Sequence, residues 1–167
     1  MASEGVQSRM TVSNDEFRRV CGRFATGVAI ASAVGPDGVP HGLTISSFTS
    51  VSLQPPLILI CLGHAVTNIA EFRQATHFGI SILGEARRSL SDRFAQKGHD
   101  RFDGVEWFSG ETGVPLIAGA LGTMECSTYQ RIPCGDHDIF VGEVVRASVT
   151  EGKPLIYFGS GYRGLTG

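Results

Sequence analysis

Residues 44–52 carry six side-chain hydroxyls within nine positions, in a stretch that is apolar on both flanks. The hydroxyls belong to Thr44, Ser46, Ser47, Thr49, Ser50 and Ser52. Hydroxyl groups both donate and accept hydrogen bonds, so a strand that carries this many is suited to hold a polar ligand. An edge strand that turns serine and threonine to solvent would produce the same pattern, because threonine is a good strand residue. The residues alone leave both interpretations open.

Period-two alternation organises most of this segment. It separates Thr44, Ser46, Ser50 and Ser52 on one side of the predicted strand from Leu43, Ile45, Val51 and Leu53 on the other. The alternation breaks at residues 47–49. We therefore predict a β-bulge near Ser46–Phe48, because a bulge would explain the break and often re-aims side chains at a binding site.

A second stretch with chemical potential is Cys-Gly-Asp-His at residues 134–137. Gly135 and Asp136 are typical turn residues, and they fall between two predicted long strands. His137 then projects from the beginning of the second strand. An imidazole in this place can contact a ligand, although a surface histidine beside a turn is the more common outcome of such a pattern.

Residues 159–164, Gly-Ser-Gly-Tyr-Arg-Gly, match the glycine spacing of a dinucleotide-binding loop. That loop must open a helix whose N-terminus holds the pyrophosphate. Because the chain ends three residues later, we exclude this interpretation and predict a flexible C-terminal loop that carries Tyr162. No nucleophile elbow, catalytic triad order or P-loop is found, so nucleophilic catalysis has no support.

Two Cys-x-x-His pairs, Cys61/His64 and Cys134/His137, have the ligand types of a Cys₂His₂ zinc site. Cys61, however, lies inside the apolar run 57–62, where cysteine usually serves as a small buried hydrophobe. The residues between the ligands also differ from those of a zinc knuckle. We predict no metal site, and we expect free thiols because no export signal precedes the four cysteines.

Composition limits the class of protein. The 167 residues fit one domain, and 14 basic against 16 acidic residues predict no nucleic-acid-binding surface. The longest apolar run, residues 57–62, is too short to span a bilayer. Residues 1–10 lack the apolar region of a secretory signal, so we expect a cytoplasmic protein with no membrane partner. We predict a disordered tail over residues 1–12 and one domain over residues 13–167.

Three helices are predicted. Ser13 and Glu16 have the spacing of a capping box, and an amphipathic stripe follows until Gly27 ends the helix. Two further helices are predicted at residues 67–74, capped by Thr67, and at residues 85–98, ended by Gly98.

The remaining elements are strands. The continuously apolar residues 57–62 predict a strand that is buried on both faces. Because the helices do not alternate regularly with the strands, a doubly wound parallel sheet is disfavoured. The fold class is mainly β, with a closed or nearly closed antiparallel barrel and peripheral helices. Strands are predicted at residues 28–34, 39–53, 57–62, 78–83, 118–132, 138–150 and 154–158, with a short one near Trp107.

Taken in order, these segments resemble the short-chain NAD(P)H:flavin oxidoreductase family, whose fold is an antiparallel, Greek-key-like, FMN-binding split β-barrel. The resemblance covers about Phe17 to Leu165. It is carried by "FATGVAI" (24–30), "DGVPHGLTISSFTSVSLQPPLILICL" (37–62), "FGISIL" (78–83), "RFAQKGHDRFDGVEW" (93–107), "GVPLIAGALGTMEC" (113–126), "GDHDIFVGEV" (135–144) and "PLIYFGSGYRGL" (154–165). Members of this family are reductase components of two-component flavin-dependent monooxygenases.

The resemblance implies a flavin site along the hydroxyl-rich strand. Its hydroxyls and backbone N–H groups would meet the ring edge, the ribityl chain or the phosphate of the flavin. Lys97 and Arg101 lie where the family supplies positive charge near the cofactor, although a solvated loop would present them equally. The implied cofactor-binding residues are Thr44, Ile45, Ser46, Ser47, Ser50, Val51, Ser52, Phe94, Lys97 and Arg101.

The resemblance also implies a nicotinamide site, because Gly-Asp-His is the family's nicotinamide nucleotide signature. His137 is the implied catalytic residue, as a positioning or charge-stabilising group beside the stacked nicotinamide. Gly135 and Asp136 would shape the turn, and Tyr162 would approach the same cleft.

The implied activity is reduction of FMN or FAD by NADH or NADPH, with release of reduced flavin to a separate monooxygenase. The cofactors carry this chemistry, so no catalytic dyad is required. The family further implies a homodimer with flavin near the subunit interface. Two alternatives stay open: a flavoprotein that retains FMN as a prosthetic group and acts on another substrate, and a non-catalytic flavin-binding barrel.

Overall fold

The computed structural model describes residues 12–98 and 100–165, and strands dominate them. The strands are β1 Thr26–Gly27, β2 Ala29–Val34, β3 Pro40–Ile45, β4 Thr49–Leu53, β5 Pro56–Gly63, β6 His77–Ile82, β7 Trp107–Ser109, β8 Pro115–Ile117, β9 Gly122–Cys134, β10 His137–Val149, β11 Ile156–Phe158 and β12 Gly161–Arg163. Seven of them form one antiparallel sheet in the order β3-β2-β6-β9-β10-β5-β4. Two small sheets, β1-β11-β12 and β7-β8, accompany it.

The large sheet curls back on itself. Its two edge strands, β3 and β4, are consecutive in the chain and only residues 46–48 separate them. This connection spans at most about 14 Å, so the two edges must approach each other there. The edges are neighbours without being paired, and the barrel therefore keeps an open seam. This architecture confirms the predicted antiparallel split barrel.

Three short α-helices complete the described fold, at α1 Asn14–Cys21, α2 Ile69–Gln74 and α3 Arg88–Ala95. The predicted capping box is confirmed, since Ser13 Oγ accepts from the Glu16 N–H and the Glu16 carboxylate accepts from the Ser13 N–H. The predicted end at Gly27 is wrong, because Gly22 already caps the helix and residues 26–27 join a strand.

The other two helices are shorter than predicted. Asn68 is the N-cap residue of α2, not Thr67, so the helix begins one residue later than predicted. The helix predicted to end at Gly98 ends at Ala95, and a 3₁₀ turn at Glu85–Arg87 precedes it. Backbone conformation at Gln96 is extended, which terminates the helix before the glycine is reached.

Alternation along the strands builds two hydrophobic clusters. Ala31 and Phe140 belong to the cluster that fills the barrel. Ile30, which points the other way, joins Phe94 of α3 and Leu155 in a second cluster on the outer side of the sheet. Residues 57–62 also alternate: Ile58, Ile60 and Leu62 are buried, while Leu57, Leu59 and Cys61 are half-buried. The prediction of a strand buried on both faces is therefore wrong.

Two further sequence-based expectations need correction. The strand predicted over residues 39–53 is two strands, because the chain leaves β3 after Ile45 and pairs with β5 after residue 48. The register shift lies between Ser50 and Ser52, not at Ser46–Phe48. The C-terminal loop is not irregular: β11 and β12 form a hairpin whose two turn residues, Gly159 and Ser160, have positive φ angles of 57° and 62°.

Other expectations agree with the structure. The hairpin of residues 28–34 with the next strand forms through the turn at residues 35–38. A short strand does contain Trp107, although its partner β8 was not predicted. The predicted tail of residues 1–12 lies outside the described residues, except for Val12. Within the described part of the chain, no helix has both the length and the apolarity needed to cross a membrane.

Candidate functional site

The connection between β3 and β4 is anchored to β5 by one side chain. Ser47 Oγ accepts a hydrogen bond from the Cys61 N–H and donates one to the Cys61 carbonyl, each at 3.0 Å. The hydroxyl thus replaces the backbone partner that Cys61 lacks, because β4 pairs with β5 only as far as Leu59. Because both interactions are used by the fold, Ser47 serves structure before it serves any ligand.

The Gly-Asp-His turn joins β9 to β10 at the opposite edge of β5. Gly135 has φ of 62°, a left-handed conformation that favours glycine. His137 pairs with Cys134 across the hairpin and with Gly63 at the end of β5. A Cβ atom added to Gly63 would lie 3.4 Å from His137 Nε2, so the imidazole covers a glycine that leaves it room.

The His137 ring is oriented by its neighbour. His137 Nδ1–H donates to Asp136 Oδ1 at 2.7 Å, which leaves Nε2 free for another partner. The hydrogen bond from His137, together with its charge, lowers the pKa of the Asp136 carboxyl below its ordinary value. Asp136 is exposed, so its carboxylate stays in contact with solvent.

One residue of each predicted site lies beside the end of β5. Ser47 lies beside Cys61 on one edge of β5, and His137 lies beside Gly63 on the other edge. Cys61 and Gly63 are two residues apart, on the same face of the strand. Neighbouring strands are about 4.8 Å apart, so the connection and the turn are separated by roughly 10 Å.

Ser46, the residue before Ser47, lines a cavity of about 310 Å³. That volume is at the lower end of the range for small-molecule sites. Its walls are mostly apolar, and Thr26 Oγ1 is buried there without a hydrogen-bond partner in the described chain. An orphan hydroxyl beside the exposed Ser46 hydroxyl gives the cavity a polar edge. The lining residues are Phe24, Ala25, Thr26, Gly27, Val28, Ala29, Ile45, Ser46, Phe48 and Ile82.

The predicted basic residues line a different, more open cavity of about 540 Å³ below α3. Lys97 is exposed, whereas Arg101 is partly buried and Nη1 donates to the Gly42 carbonyl at 2.6 Å. Burial lowers the pKa of Arg101 from its ordinary value. Phe94 is fully buried against the Phe102 ring, with centroids 5.0 Å apart. Phe94 therefore holds α3 in place and does not itself face the cavity.

Thr44 and Tyr162 meet at α3. Thr44 Oγ1 donates to the Ser91 carbonyl at 2.7 Å, and the Ser91 and Tyr162 hydroxyls share a hydrogen bond of 2.9 Å. Tyr162 also packs against Tyr157, with ring centroids 5.5 Å apart. Burial raises the pKa of the Tyr162 hydroxyl. These contacts place Tyr162 beside α3, and none of them joins it to the Gly-Asp-His turn.

The other members of the predicted flavin strand divide between core and surface. Ile45 is buried in the barrel cluster. Ser50 and Val51 are exposed on the edge strand β4, as the alternative interpretation of the hydroxyls expected. Ser52 Oγ accepts from the Gln54 N–H at 3.3 Å and supports the following turn.

A buried carboxylate next to the turn was missed from the sequence. Asp138 is 2 % exposed and accepts hydrogen bonds from Arg73 Nε at 2.7 Å and His64 Nε2 at 3.1 Å. Period-two alternation could have found it, because His137 outward requires Asp138 inward on a strand. The zinc arrangement does not form: all four cysteines are free thiols, and the described residues contain no group of three or more metal-ligating side chains.

The family model of the flavin reductase like domain matches residues 21–166. The chain therefore belongs to the flavin reductase like domain family.

Similar proteins are named for flavin reduction. The chain is 41% identical over 146 residues to the FMN reductase (NADH) SmoA of Agrobacterium fabrum, covering 87% of this chain and 83% of the relative. It is 44% identical over 152 residues to the reductase component of a Rhodococcus opacus 4-nitrophenol 4-monooxygenase/4-nitrocatechol 2-monooxygenase, covering 91% and 79%. The Streptomyces globisporus NADH:FAD oxidoreductase SgcE6, solved with NAD and FAD fragments, superposes with a TM-score of 0.86 at 38% identity, covering 91% and 92%.

Proposed function

We propose that this protein is an NADH-dependent flavin reductase that reduces free FMN or FAD. The observation that carries the proposal is the convergence of the hydroxyl-bearing connection and the Gly-Asp-His turn on the end of β5, at Cys61 and Gly63. The names of the relatives, which include NADH-dependent reductases of FMN and of FAD, support the same activity.

The cavity beside Ser46 fits the ring system of a flavin. Its walls are apolar, and its polar atoms are few and placed at one edge, as a ring with polar edges requires. Thr26 Oγ1 and the Ser46 hydroxyl are the two groups available to a ligand there. Lys97 and Arg101 line the open cavity along α3, which we call the basic groove, and would supply positive charge to a phosphate tail, although Asp92 and Asp100 line the same groove.

The remaining predicted residues would contribute in other ways. Thr44 fixes α3 against β3, and Ser47 fixes the connection against β5. Ile45 supplies part of the apolar wall, and Phe94 supports the helix that carries the basic groove. Ser50, Val51 and Ser52 form the open edge of β4, and a bound flavin or a second subunit would cover them.

The nicotinamide would bind where His137 lies over Gly63. Asp136 accepts from the Nδ1–H of the imidazole and leaves Nε2 as an acceptor beside Gly63, so the ring could accept a hydrogen bond from a bound amide or stack beside it. Gly135 permits the tight turn that presents this pair. Tyr162 lies beside α3 in a single chain, so its predicted role in the same cleft would require a contribution from a second subunit.

The bound flavin and nicotinamide together supply the hydride donor and acceptor. The residues of this chain would hold the flavin ring beside Ser46 and the nicotinamide over Gly63. Positioning of this kind lowers the barrier by converting an encounter in solution into an oriented contact. His137 need not transfer a proton in this scheme, and it would serve as a positioning or charge-stabilising group for the bound nucleotide.

We further propose that the reduced flavin leaves the protein and supplies a separate monooxygenase. The support comes from relatives that are named as reductase components of such systems. The cavities are open to solvent, which is compatible with a flavin that binds and departs in each turnover.

A homodimer is also proposed. The apolar stripe of α1 has no cover in the described chain: Phe17 is 60% and Val20 71% exposed. Phe24, which lines the cavity beside Ser46, is 77% exposed. Large apolar patches of this kind mark interaction sites. A second copy that covered them would also lie beside the cavity of Ser46, so we propose that two chains join next to the flavin site.

We propose a cytoplasmic location and a single domain over residues 13–167. Free thiols at all four cysteines suit a reducing compartment. Seven of the described strands, β2–β6, β9 and β10, form one continuous sheet, and β11 of the β11–β12 hairpin pairs with β1.

Absorbance spectroscopy distinguishes the proposal from the two alternatives. We expect the purified protein to be colourless, and NADH to bleach added flavin repeatedly when air is admitted. A yellow protein that keeps its flavin through gel filtration would favour the prosthetic-group alternative. Flavin binding without bleaching by NADH or NADPH would favour the non-catalytic barrel.

A further inference from the structure

We propose that Asp138 is a positioning residue for the nicotinamide site: it fixes the Gly-Asp-His turn, and with it His137, to helix α2 and to the end of β5. This inference rests on the proposed function, and it assigns a role to a residue outside the three-residue signature.

Asp138 is the buried member of the turn. It lies opposite Leu62 on β5 and points into the barrel, while His137 points outward. A carboxylate in such a place must be compensated by cations and hydrogen bonds. Arg73 Nε donates to Oδ2 at 2.7 Å and His64 Nε2 donates to Oδ1 at 3.1 Å. The Arg73 hydrogen bond lowers the pKa of Asp138 although burial opposes this, so the group is ionised.

The two partners of Asp138 come from different elements. Arg73 belongs to the last turn of α2, and its carbonyl accepts from Arg131 Nη1 on β9 at 3.5 Å. His64 directly follows β5, and its backbone N–H donates to the Asp136 carbonyl at 2.9 Å. The Asp138 carboxylate therefore links helix α2 and the end of β5 to the turn.

These ties leave the turn little freedom. The backbone is held before His137 by the His64 N–H at Asp136, and after it by the carboxylate of Asp138. The imidazole itself is held by Asp136 and rests 3.4 Å from the position of a Cβ on Gly63. If Asp138 released Arg73 and His64, the turn would keep its backbone pairing with β9 and β5 but lose its side-chain ties to α2 and to His64. The His137 ring would then move relative to the flavin side of β5.

The test uses the matched variant Asp138→Asn, which keeps the shape of the side chain and removes its charge. We expect the KM for NADH to rise about tenfold, since small misplacements of a positioning group have effects of this order. The KM for flavin should stay within about twofold, because the Ser46 cavity and the basic groove do not contact Asp138.

Two further variants separate positioning from general stability. Arg73→Met removes the same contact from the α2 side, so it should raise the KM for NADH similarly, and the double variant should add little to either change. Glu125→Gln removes another buried carboxylate of the same sheet, and it should lower the melting temperature without changing the ratio of the two KM values. Equal rises in both KM values for Asp138→Asn, or a fall in melting temperature alone, would overturn the proposal.

A readout without turnover keeps this test apart from the proposed function. In the NMR spectrum of the wild-type protein, the His137 imidazole signals should differ from those of Asp138→Asn, while the signals of His77 should coincide. Unchanged His137 signals would overturn the positioning role even if the wild type failed to oxidise NADH. Absent NADH oxidation with a shifted His137 signal would reject the proposed activity and leave the positioning of the turn intact.

Discussion

Single hydroxyls in the 44–52 segment have separate duties. Ser47 satisfies both backbone groups of Cys61, and Thr44 holds the Ser91 carbonyl of α3. Ser46 is exposed at the cavity and has no such duty in the described structure. Hydroxyl residues that stabilise the fold, such as Thr44 and Ser47, can thus lie next to one that is available to a ligand, Ser46.

Ser47→Ala should destabilise the protein and Ser46→Ala should not. Loss of the Ser47 hydroxyl leaves the Cys61 N–H and carbonyl without partners, at a cost of about 1–3 kcal/mol. Ser46→Ala, the matched control, should change the free energy of unfolding by less than about 0.5 kcal/mol. It should instead raise the KM for flavin by about 2- to 10-fold, the value of one hydrogen bond. Urea unfolding and steady-state kinetics of both variants check the pair, and interchanged results would contradict the assignment.

His137→Ala should weaken the use of NADH more than the binding of flavin. The imidazole lies over Gly63 on the turn side of β5, while the cavity of Ser46 lies on the other side. We expect kcat/KM for NADH to fall by about tenfold or more, with the flavin Kd within about twofold. His77→Ala controls for the loss of an imidazole elsewhere. An equal loss of NADH use and flavin affinity would count against the role of His137.

At the scale of elements, buried carboxylates hold irregular segments to the sheet. Glu125 of β9 accepts from the N–H groups of Glu111 and Thr112 and from the Thr112 hydroxyl. Burial alone would raise its pKa, but these hydrogen bonds and the nearby Arg146 outweigh it and lower the pKa. The turn at residues 110–113 therefore depends on an ionised side chain from a neighbouring strand.

The stabilisation from Glu125 should depend on pH. Because the folded pKa lies below the ordinary glutamate value near 4.3, the contribution is present above that value and is lost as the pH falls through the folded pKa. Glu125→Gln should cost about 1–3 kcal/mol at neutral pH. Urea unfolding at neutral pH and near pH 4 should show the difference between wild type and variant shrinking in acid. A difference that stays constant with pH would contradict the ionised role.

The packing of α3 on β3 sets the position of the basic groove. A Cβ on Gly42 would lie 2.8 Å from the Phe94 ring and 3.0 Å from the Phe102 ring. Gly42→Ala should therefore displace α3 at a cost of about 1–3 kcal/mol and raise the KM for flavin. Gly27→Ala, whose Cβ meets nothing within 4 Å, is the control for stability. Wild-type stability and flavin KM in Gly42→Ala would exclude this dependence.

Short sequence patterns correctly predicted the elements that depend on interactions between residues close in sequence. The capping box of α1 and the β2–β3 hairpin follow from Ser13, Glu16 and the turn at residues 35–38. The pairing of β4 with β5, and the division of one hydroxyl-rich stretch into β3 and β4, depend on contacts across the barrel. Asp138 was missed because the partners that make its burial possible, His64 and Arg73, are distant in sequence.

Across the whole molecule, the sequence resemblance predicted the split barrel, whereas composition and spacing alone favoured only an antiparallel barrel. The structure places the predicted site residues in three separate locations, which no sequence pattern predicted. Ser47 and His137 converge at β5, Lys97 and Arg101 line a separate groove, and Tyr162 lies at α3. This dispersion within one chain is the physical reason to expect a site completed by a second chain.

Charge on the exposed stripe of α1 should dissociate the proposed dimer. In the proposed dimer a second copy covers Phe17 and Val20. The double variant Phe17→Glu with Val20→Glu would place two charges in that interface, so it should be a monomer by light scattering. Arg18→Glu on the same helix, away from the stripe, is the control and should stay dimeric. A wild-type protein that is monomeric at micromolar concentration would contradict the proposed assembly.

The central claim is that NADH delivers hydride to a freely exchanging flavin at the end of β5. The most direct measurement follows NADH absorbance with catalytic amounts of purified protein and an excess of FMN or FAD. We predict many turnovers per protein molecule, saturation with flavin, and a fall of about tenfold or more in kcat/KM for NADH in His137→Ala. Failure of the wild type to oxidise either NADH or NADPH with either flavin would contradict the account.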